Sequence, residues 1–341
     1  MKTFGFNPTE FFGIFVFVVV AFLAALLATP LFTDFLYKNK IGKKIRDTDY
    51  EGSKTPIFSR LHHDKENTPT MGGVLIWGVS GLITVVANLT RSGTLLPLLT
   101  LIASGFIGAV DDIMNVFGIG VSRGGMRFRT KFLFYALIAT AGALWFAFKL
   151  DWISRGLFIP GLGEIILGFW YIPVFIIVLV AIAFSANQTD GLDGLAGGVF
   201  AIAYGAYTLI CLAKGNYSLA LFCATILGAT LAFLWFNVYP ARFFMGDTGA
   251  MSLGMTLGVI AFLTNTVYAL PFIAFIMLVE AVSTIVQIGS KKFFKKKVFL
   301  VAPIHHHFEA LGWPETKVTM RFWIVAAVVA VAGIGLVIIL G

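Results

Sequence analysis

The sequence predicts an all-α integral membrane protein with about ten transmembrane helices. Apolar residues make up 58% of the chain, charged residues only 12%, and the mean hydropathy is +0.91. Soluble domains carry roughly 25% charged residues. We therefore treat residues 1–341 as a single polytopic domain. The net charge of +8 is explained by the excess of Lys and Arg in the cytoplasmic loops of membrane proteins, so it does not indicate nucleic-acid binding.

Apolar runs of the length that crosses a bilayer, about 20 residues, recur along the whole chain. Their approximate limits are 11–36, 71–89, 95–112, 132–149, 167–186, 192–213, 218–238, 248–267, 269–290 and 320–340. The first run is long enough to remain in the membrane rather than act as a cleaved signal. Cys211 and Cys223 lie inside apolar runs, and we expect them to be small buried side chains without a disulfide or a metal.

Lysine and arginine orient these spans. Twenty of the 25 Lys and Arg residues fall in the loops 37–70, 113–131, 187–191, 239–247 and 291–321. The positive-inside rule assigns these loops to the cytoplasm and both termini to the external side. The acidic motifs played no part in this count, yet all of them fall on the same side. We therefore expect the active site at the cytoplasmic face.

Residues 187–194, Asn-Gln-Thr-Asp-Gly-Leu-Asp-Gly, join two spans almost without a loop. Asp190 and Asp193 are three positions apart and would share one face of a helical turn. A carboxylate at membrane depth costs roughly 2.5–3.5 kcal/mol on insertion scales, so such groups usually bind something. Oxygen ligands favour Mg²⁺ or Mn²⁺ over zinc. The alternative is that one acid merely caps the following helix.

Two further acidic motifs end or begin apolar runs. Asp111 and Asp112 stand at a helix C-terminus, where acids oppose the macrodipole, so local stability does not explain them. A solvated helix end is the alternative. Asp247 stands among glycines before a span and suits either an N-cap or a phosphate site. Together the acidic motifs predict one divalent-metal site assembled from distant segments.

His305, His306 and His307 are consecutive, so they cannot all face one metal in a helix or a strand, and zinc sites prefer other spacings. Contacts to phosphates or to a base are the functional interpretation, and an internal polar loop is the alternative. Glu280 and Gln287 lie two helical turns apart in one apolar run and point the same way. An acid at that depth should face a cavity or a partner.

Together these motifs resemble those of the phospho-N-acetylmuramoyl-pentapeptide transferase family, the translocase I of bacterial cell-wall synthesis. The resemblance covers nearly the whole chain in motif order. It rests on residues 68–73 (Thr-Pro-Thr-Met-Gly-Gly), 111–112, 187–196, Asn237 with 244–249, and 302–309. The last segment, with its three histidines, separates this family from the related polyprenyl-phosphate GlcNAc-1-phosphate transferases.

The resemblance implies a reaction and a set of site residues. Phospho-MurNAc-pentapeptide passes from UDP to undecaprenyl phosphate with Mg²⁺, giving lipid I and UMP, in the inner membrane of a bacterium. Catalytic roles are expected for Asp111, Asp112, Asp247 and His305, and metal binding for Asp247 and Asp190. Substrate binding is expected from Lys65, Thr70, Lys131, Asn187, Asp190, Asp193, Asn237, Phe244, Gln287, His306 and His307. The expected partners are the two substrates and the bilayer, with no nucleic acid and with a homodimer left open.

Within this scheme the resemblance places Asn187 and Phe244 at the uridine, and Asp190 and Asp193 on the nucleotide side or behind the metal ligands. A phosphomonoester has a second pKa near about 6, so the lipid phosphate is largely dianionic at pH 7. A general base is then needed only weakly, and we expect Asp111 to position that phosphate. The rival is a two-step path through an aspartyl phosphate.

Two positions depart from the family pattern. Asn115 stands where a lysine is usual, three residues after the paired acids, and Asn67 replaces the glycine before Thr-Pro-Thr. Lys131 then matches the second loop lysine of the family. These departures concern the basic groups that hold the lipid phosphate, and they leave the predicted metal site untouched.

Three other kinds of membrane protein fit the sequence less well. An ion-coupled transporter would need polar groups near the midplane in broken helices, and only Glu280 is deep. An intramembrane aspartyl protease would need two acids facing each other within spans. A GlcNAc-1-phosphate transferase is disfavoured by the segment 305–309.

Overall fold

All ten apolar runs fold into helices in the computed structural model, which describes residues 8–42, 65, 68–90, 93–120, 125–152, 154 and 156–340. The helices, in chain order, are α1 (Pro8–Lys38), α2 (Gly73–Ala87), α3 (Leu95–Val116), α4 (Phe128–Lys149), α5 (Tyr171–Thr189), α6 (Leu195–Ala213), α7 (Tyr217–Asn237), α8 (Gly246–Leu263), α9 (Leu270–Ile273), α10 (Phe275–Phe294), α11 (Ile304–Ala310) and α12 (Glu315–Leu340).

Eight of the described helices are long and apolar enough to cross a membrane, and a bent pair raises the number to nine. The prediction of about ten spans is corrected to this extent. The predicted span 71–89 is a helix of 15 residues, which at 1.5 Å per residue is shorter than the hydrocarbon core of about 30 Å. The predicted span 269–290 is broken, because Val267–Ile273 and Phe275–Phe294 meet at 81°.

Helix α8 is the most enclosed of the candidate spans, although it is the least apolar of them. Glycines explain its enclosure. A Cβ on Gly73 of α2 would lie 2.2 Å from Gly249 Cα, and one on Gly108 of α3 would lie 2.5 Å from the carbonyl oxygen of Asp247. Small residues at helix contacts allow such close approach in membranes. The start of α8 is thereby brought against the start of α2 and the C-terminal part of α3, where the polar motifs lie.

One small sheet departs from the all-α prediction. Gly156–Ile159 and Gly163–Ile166 form an antiparallel hairpin, β1 and β2, with Gly156 opposite Ile166. Gly161 and Gly163 in its turn have φ angles of +83° and +78°, which glycine adopts without strain. Strands of four residues are too short to give a clear alternation signal in a sequence.

The predicted burial of the two cysteines is confirmed. Cys211 on α6 and Cys223 on α7 are buried free thiols. They pack in the main apolar core, which also holds side chains of α1, α5, α8 and α12.

Candidate active site

The N-terminus of α8 is where acids from distant segments meet. Asp112 accepts hydrogen bonds from the backbone N–H groups of Asp247 and Thr248, both at 3.1 Å. Asp190 accepts one from the N–H of Gly246 at 3.0 Å. The first N–H groups of a helix lack intrahelical partners and favour negative charge nearby. Asp112 opposes the dipole of its own helix, and the dipole of α8 explains why it is nevertheless stable there.

Lys131 bridges two further carboxylates at this point. Its Nζ lies 2.6 Å from Asp111 Oδ2 and also pairs with Asp247 Oδ2. Asn187 Nδ2 donates to Asp247 Oδ1 at 2.8 Å, and the N–H of Met126 donates to Asp111 Oδ1 at 2.5 Å. Asp111 is only 1% exposed, whereas the side chain of Lys131 is 15% exposed. The predicted convergence of Asp111, Asp190 and Asp247 is therefore present.

A second lysine forms the neighbouring part of the site. Lys65 Nζ lies 2.6 Å from Asp193 Oδ1 and 2.5 Å from Glu315 Oε1. It also lies 5.9 Å from the centroid of the Phe244 ring. The other oxygen of Asp193 accepts the N–H of Ala241 at 2.9 Å. A cation, two carboxylates and an aromatic face thus lie side by side.

The prediction that Asp190 and Asp193 share one helical face is wrong. Helix α5 ends at Thr189, and Gly194 has a φ of +75°, so the intervening residues form a tight turn between two helices. Asp190 therefore reaches the start of α8, whereas Asp193 reaches Lys65. One acidic motif supplies both parts of the site.

The segment before α2 lies beside the same helix start. A Cβ on Gly246 would lie 2.8 Å from Thr70 Oγ1, and the N–H of Phe244 donates to the carbonyl of Pro69 at 2.8 Å. Thr70 is therefore next to the acidic cluster, as its predicted substrate role requires. Asn67, one of the two departures from the family pattern, lies outside the described residues.

His305 and Glu280 form a buried pair between α11 and α10. His305 Nδ1 lies 2.9 Å from Glu280 Oε2, which confirms that the deep acid faces a partner. Within the described parts of the chain, His305 Nε2 has no hydrogen-bond partner. It lies against Gly191, where an added Cβ would be only 2.2 Å away. The free imidazole nitrogen thus faces the turn that carries Asp190.

The other two histidines have partners of their own. His306 Nδ1 lies 2.7 Å from Glu309 Oε2, and the N–H of Leu300 donates to His307 Nδ1 at 3.2 Å. The segment is a short helix rather than a loop. The three imidazoles thus point to different groups, which agrees with the argument that they do not share one metal.

Glu309 makes the stability of the fold depend on pH. Burial raises the pKa of its carboxyl from 4.5 to about 7. The charged groups that act on it are His305, Glu315, Lys65 and Asp193, and His306 is its hydrogen-bond partner. Because the folded-state pKa is raised, the stabilisation is fully present below pH 4.5 and is lost as the pH rises through 7.

We therefore expect wild-type protein to lose about 2 kcal/mol more stability between pH 5.5 and pH 8 than the Glu309→Gln variant. The measurement is the midpoint of thermal unfolding in detergent at the two pH values. Glu164→Gln, an exposed glutamate on β2, is the control and should follow the wild type. Parallel pH profiles for wild type and Glu309→Gln would contradict this assignment.

Two predicted substrate-binding amides are engaged with the backbone. The side-chain oxygen of Gln287 accepts the N–H groups of residues 298 and 299, both at 3.0 Å. Its side-chain nitrogen donates to the carbonyl of residue 299 at 2.9 Å. Asn237 donates to the carbonyl of Phe243 at 2.9 Å and accepts the N–H of Gly194 at 3.1 Å. Both amides shape the loops around the site. Their direct contact with substrate stays a prediction.

Sequence reasoning missed three polar residues of this region. The hydroxyl of Tyr135 accepts a hydrogen bond from Asn187 at 3.3 Å, and Glu309 and Glu315 join the network described above. Glu315 fell in the predicted loop 291–321, where an acid is ordinary, so it gave no sign of a distant partner. Tyr135 lies inside an apolar run, where an aromatic residue is ordinary.

The chain is similar in sequence to known proteins. Residues 94–265 match Glycosyl transferase family 4, and residues 65–76 match Phospho-N-acetylmuramoyl-pentapeptide-transferase signature 1. A phospho-N-acetylmuramoyl-pentapeptide-transferase of Chloroflexus aggregans is 40% identical over 333 residues, which cover 94% of this chain and 88% of that protein. The protein of the same name from Geobacillus sp. (strain WCH70) is 37% identical, and the match covers 93% of this chain and 95% of that protein. The one from Bacillus cytotoxicus is 38% identical, and the match covers 94% of this chain and 97% of that protein. The resemblance seen in the motifs is confirmed.

Proposed function

Because this chain belongs to the phospho-N-acetylmuramoyl-pentapeptide-transferase family, we propose that the acidic cluster at the start of α8 is its catalytic centre. The protein is a multi-pass membrane enzyme of bacterial peptidoglycan synthesis. It transfers phospho-MurNAc-pentapeptide from UDP to undecaprenyl phosphate, and the products are lipid I and UMP.

The observation that supports this centre best is the bridge formed by Lys131. A buried acid of α3 and a partly exposed acid of α8 share one lysine from α4, and Asn187 of α5 holds the second acid. The reaction brings two anionic phosphate groups together, and their repulsion is large where water is scarce. A lysine aimed at the meeting point of four helices supplies a cation there. Positioning and charge stabilisation are the main demands of phosphoryl transfer.

The residues present fit a magnesium ion that is shared with substrate. Among the described residues, no three His, Cys, Asp or Glu side chains are grouped so that they could hold an ion unaided. Mg²⁺ usually takes one or two carboxylates and completes its shell with water and substrate phosphates. Asp247 and Asp190 are the proposed ligands. Asp247 is in the first turn of α8, and Asp190 accepts the first N–H of that helix. When bound, the ion would neutralise charge on the pyrophosphate and on the leaving UMP.

Asp112 acts through α8 rather than on the substrate. Both of its oxygens accept backbone N–H groups of that helix, so it fixes the position of Asp247. Asp111 keeps a different task, because it shares Lys131 with Asp247. We assign Asp111 to positioning the phosphate of the lipid acceptor. The acceptor is largely dianionic at pH 7, and little base catalysis is needed.

The donor is proposed to bind on the side of the second lysine. Phe244 offers an aromatic ring for the uracil, with Lys65 Nζ 5.9 Å from the ring centroid and Asp193 paired with that lysine. His305 Nε2 faces the turn between the two sides of the site. From there it can donate a hydrogen bond to a bound phosphate or sugar.

We further propose that this end of the bundle faces the cytoplasm and that both chain termini are external, which requires the short helix α2 and the bent pair to cross together with the eight long helices. The site lies where α3 and α5 end and where α8 and α12 begin, so these helix ends belong to one side of the membrane. Twenty of the 25 Lys and Arg residues lie in loops on that side, as the positive-inside rule requires of cytoplasmic loops.

The test is a transfer assay with purified protein in detergent. We expect UMP release from UDP-MurNAc-pentapeptide to require both undecaprenyl phosphate and Mg²⁺. Replacement of the donor by UDP-GlcNAc should abolish release, because the related GlcNAc-1-phosphate transferases lack the histidine segment 305–309. Release of UMP from UDP-GlcNAc at a comparable rate would instead favour that related activity.

The Asp111→Asn variant separates a positioning role from covalent catalysis. We expect it to keep part of the wild-type activity, in a constant ratio to wild type above pH 7, because the acceptor phosphate is already dianionic there and needs no base. An amide cannot replace a carboxylate nucleophile, so a covalent path predicts no activity at any pH. The measurement is the pH profile of UMP release, together with acid quenching of wild-type enzyme incubated with donor labelled in the sugar phosphate. A labelled phospho-enzyme would overturn the positioning role.

A further inference from the structure

Helix α12 contacts the turn between α5 and α6 through one stripe of side chains. Glu315, Thr319 and Trp323 are spaced four residues apart and therefore share a helix face. Glu315 Oε1 accepts the N–H of Asp193 at 2.6 Å. Thr319 Oγ1 donates to the carbonyl of Asp193 at 3.3 Å, and Trp323 Nε1 donates to the carbonyl of Gly194 at 3.2 Å. Three successive helical turns thus hold the backbone of two consecutive residues.

Glycines in the turn and in α6 make room for this stripe. Gly194 has a φ of +75°, and a Cβ on it would lie 3.2 Å from the Trp323 ring. A Cβ on Gly198 would lie 2.0 Å from Trp323 Nε1. Any larger residue at position 198 would push the indole out of place. The contact between α12 and the turn is therefore a close, specific fit.

Glu315 also fixes the lysine on this side of the site. The oxygen that accepts the N–H of Asp193 also accepts from Lys65 Nζ at 2.5 Å, and Lys65 in turn pairs with Asp193 Oδ1 at 2.6 Å. Lys65 lies beside the Phe244 ring. One carboxylate on α12 thereby sets the relative positions of three groups that the proposed function assigns to the donor. A capping role at the start of α12 would require neither Lys65 nor Asp193.

We propose that Glu315 is a positioning residue for the uridine-nucleotide donor and acts through Lys65 and Asp193 without touching the substrate. This inference rests on the proposed function. It makes α12 part of the donor side of the site, although the helix carries none of the catalytic acids. On the acceptor side Lys131 pairs with Asp111 of α3, and this side should be unaffected by the replacement of Glu315.

Glu315→Gln keeps the side-chain length and an acceptor for the N–H of Asp193 but removes the negative charge beside Lys65. Hydrogen bonds to charged groups are stronger than those between neutral groups. We therefore expect the KM for UDP-MurNAc-pentapeptide to rise about tenfold, which corresponds to about 1.4 kcal/mol. The kcat should change less than threefold, and the KM for undecaprenyl phosphate should not change. Thr319→Val, which removes one contact of the stripe, should raise the donor KM by a smaller factor.

The matched control is Glu10→Gln, an acid in the first turn of α1. It changes the same charge at a helix start, and it should leave both KM values unaltered. A purely structural role for Glu315 would lower the thermal midpoint and the amount of active enzyme while both KM values stayed constant, and that result would overturn the inference. A rise in the acceptor KM equal to that in the donor KM would also overturn it.

UMP binding, measured by calorimetry, decides the inference independently of turnover. Its affinity should fall about tenfold in Glu315→Gln and remain unchanged in Glu10→Gln. If wild-type protein binds UMP with this pattern but makes no lipid I, the proposed function fails and the positioning role stands. Equal UMP affinities in all three proteins would reject the positioning role even if the enzyme is active. Should Glu315→Gln fail to fold, Thr319→Val provides the same comparison.

Discussion

Replacement of Lys131 by methionine is expected to lower the rate of lipid I formation at least about 10³-fold. Methionine keeps much of the length and apolar stem of lysine but carries no charge. The change leaves Asp111 and Asp247 facing each other without the cation that they share. It also removes the positive group nearest the point where two phosphates meet. Single cations that stabilise charge in phosphoryl transfer contribute factors of about 10³–10⁵.

The control for this substitution lies on the same helix. Lys149 ends α4, and its side chain is exposed, so Lys149→Met should keep wild-type activity. UMP release is measured for both variants after the thermal midpoints have been compared, because two neighbouring acids without their shared lysine also weaken the fold. If Lys131→Met retained more than a tenth of the wild-type rate while folded, the bridge would have no catalytic role.

Replacement of Asp247 by asparagine should cost about as much, about 10³-fold or more, for a different reason. Asparagine is nearly isosteric and can still contact Asn187, but it loses the charge that holds Lys131. It also removes the main carboxylate proposed for Mg²⁺, and a neutral amide is a much poorer ligand for a hard cation. We therefore expect both the maximal rate and the apparent affinity for Mg²⁺ to fall.

A Mg²⁺ titration of UMP release is the measurement for Asp247→Asn. Asp151→Asn, at an exposed position after α4, should reproduce the wild-type curve. The strength of Mg²⁺-dependent UMP binding gives a second readout that does not need turnover. An Asp247→Asn enzyme with the wild-type Mg²⁺ curve would transfer the metal role to another acid, with Asp190 the next candidate.

Acids were most informative where they opposed the dipole of their own helix. Asp111 and Asp112 were singled out because they oppose the dipole of their own helix, and both proved to have partners on other elements. The same rule could not single out Glu315, because the sequence placed it in the loop 291–321 rather than at a helix end. Asp190 and Asp193 were recognised as functional, but their shared face was wrong, since a turn at Gly194 replaced the assumed helix.

The apolar runs and their polar ends determined by themselves that this is a helical membrane protein with a polar site at one end. Both conclusions follow from residue type and span length, because placing a charge in hydrocarbon is costly. Only the tertiary structure decided that Lys131 bridges Asp111 and Asp247, that Asp112 caps α8, and that Glu315 holds Lys65. Those pairings depend on how closely helices approach, which glycines such as Gly73 and Gly108 set. Distances between helices far apart in the chain leave no periodic signal in a single sequence.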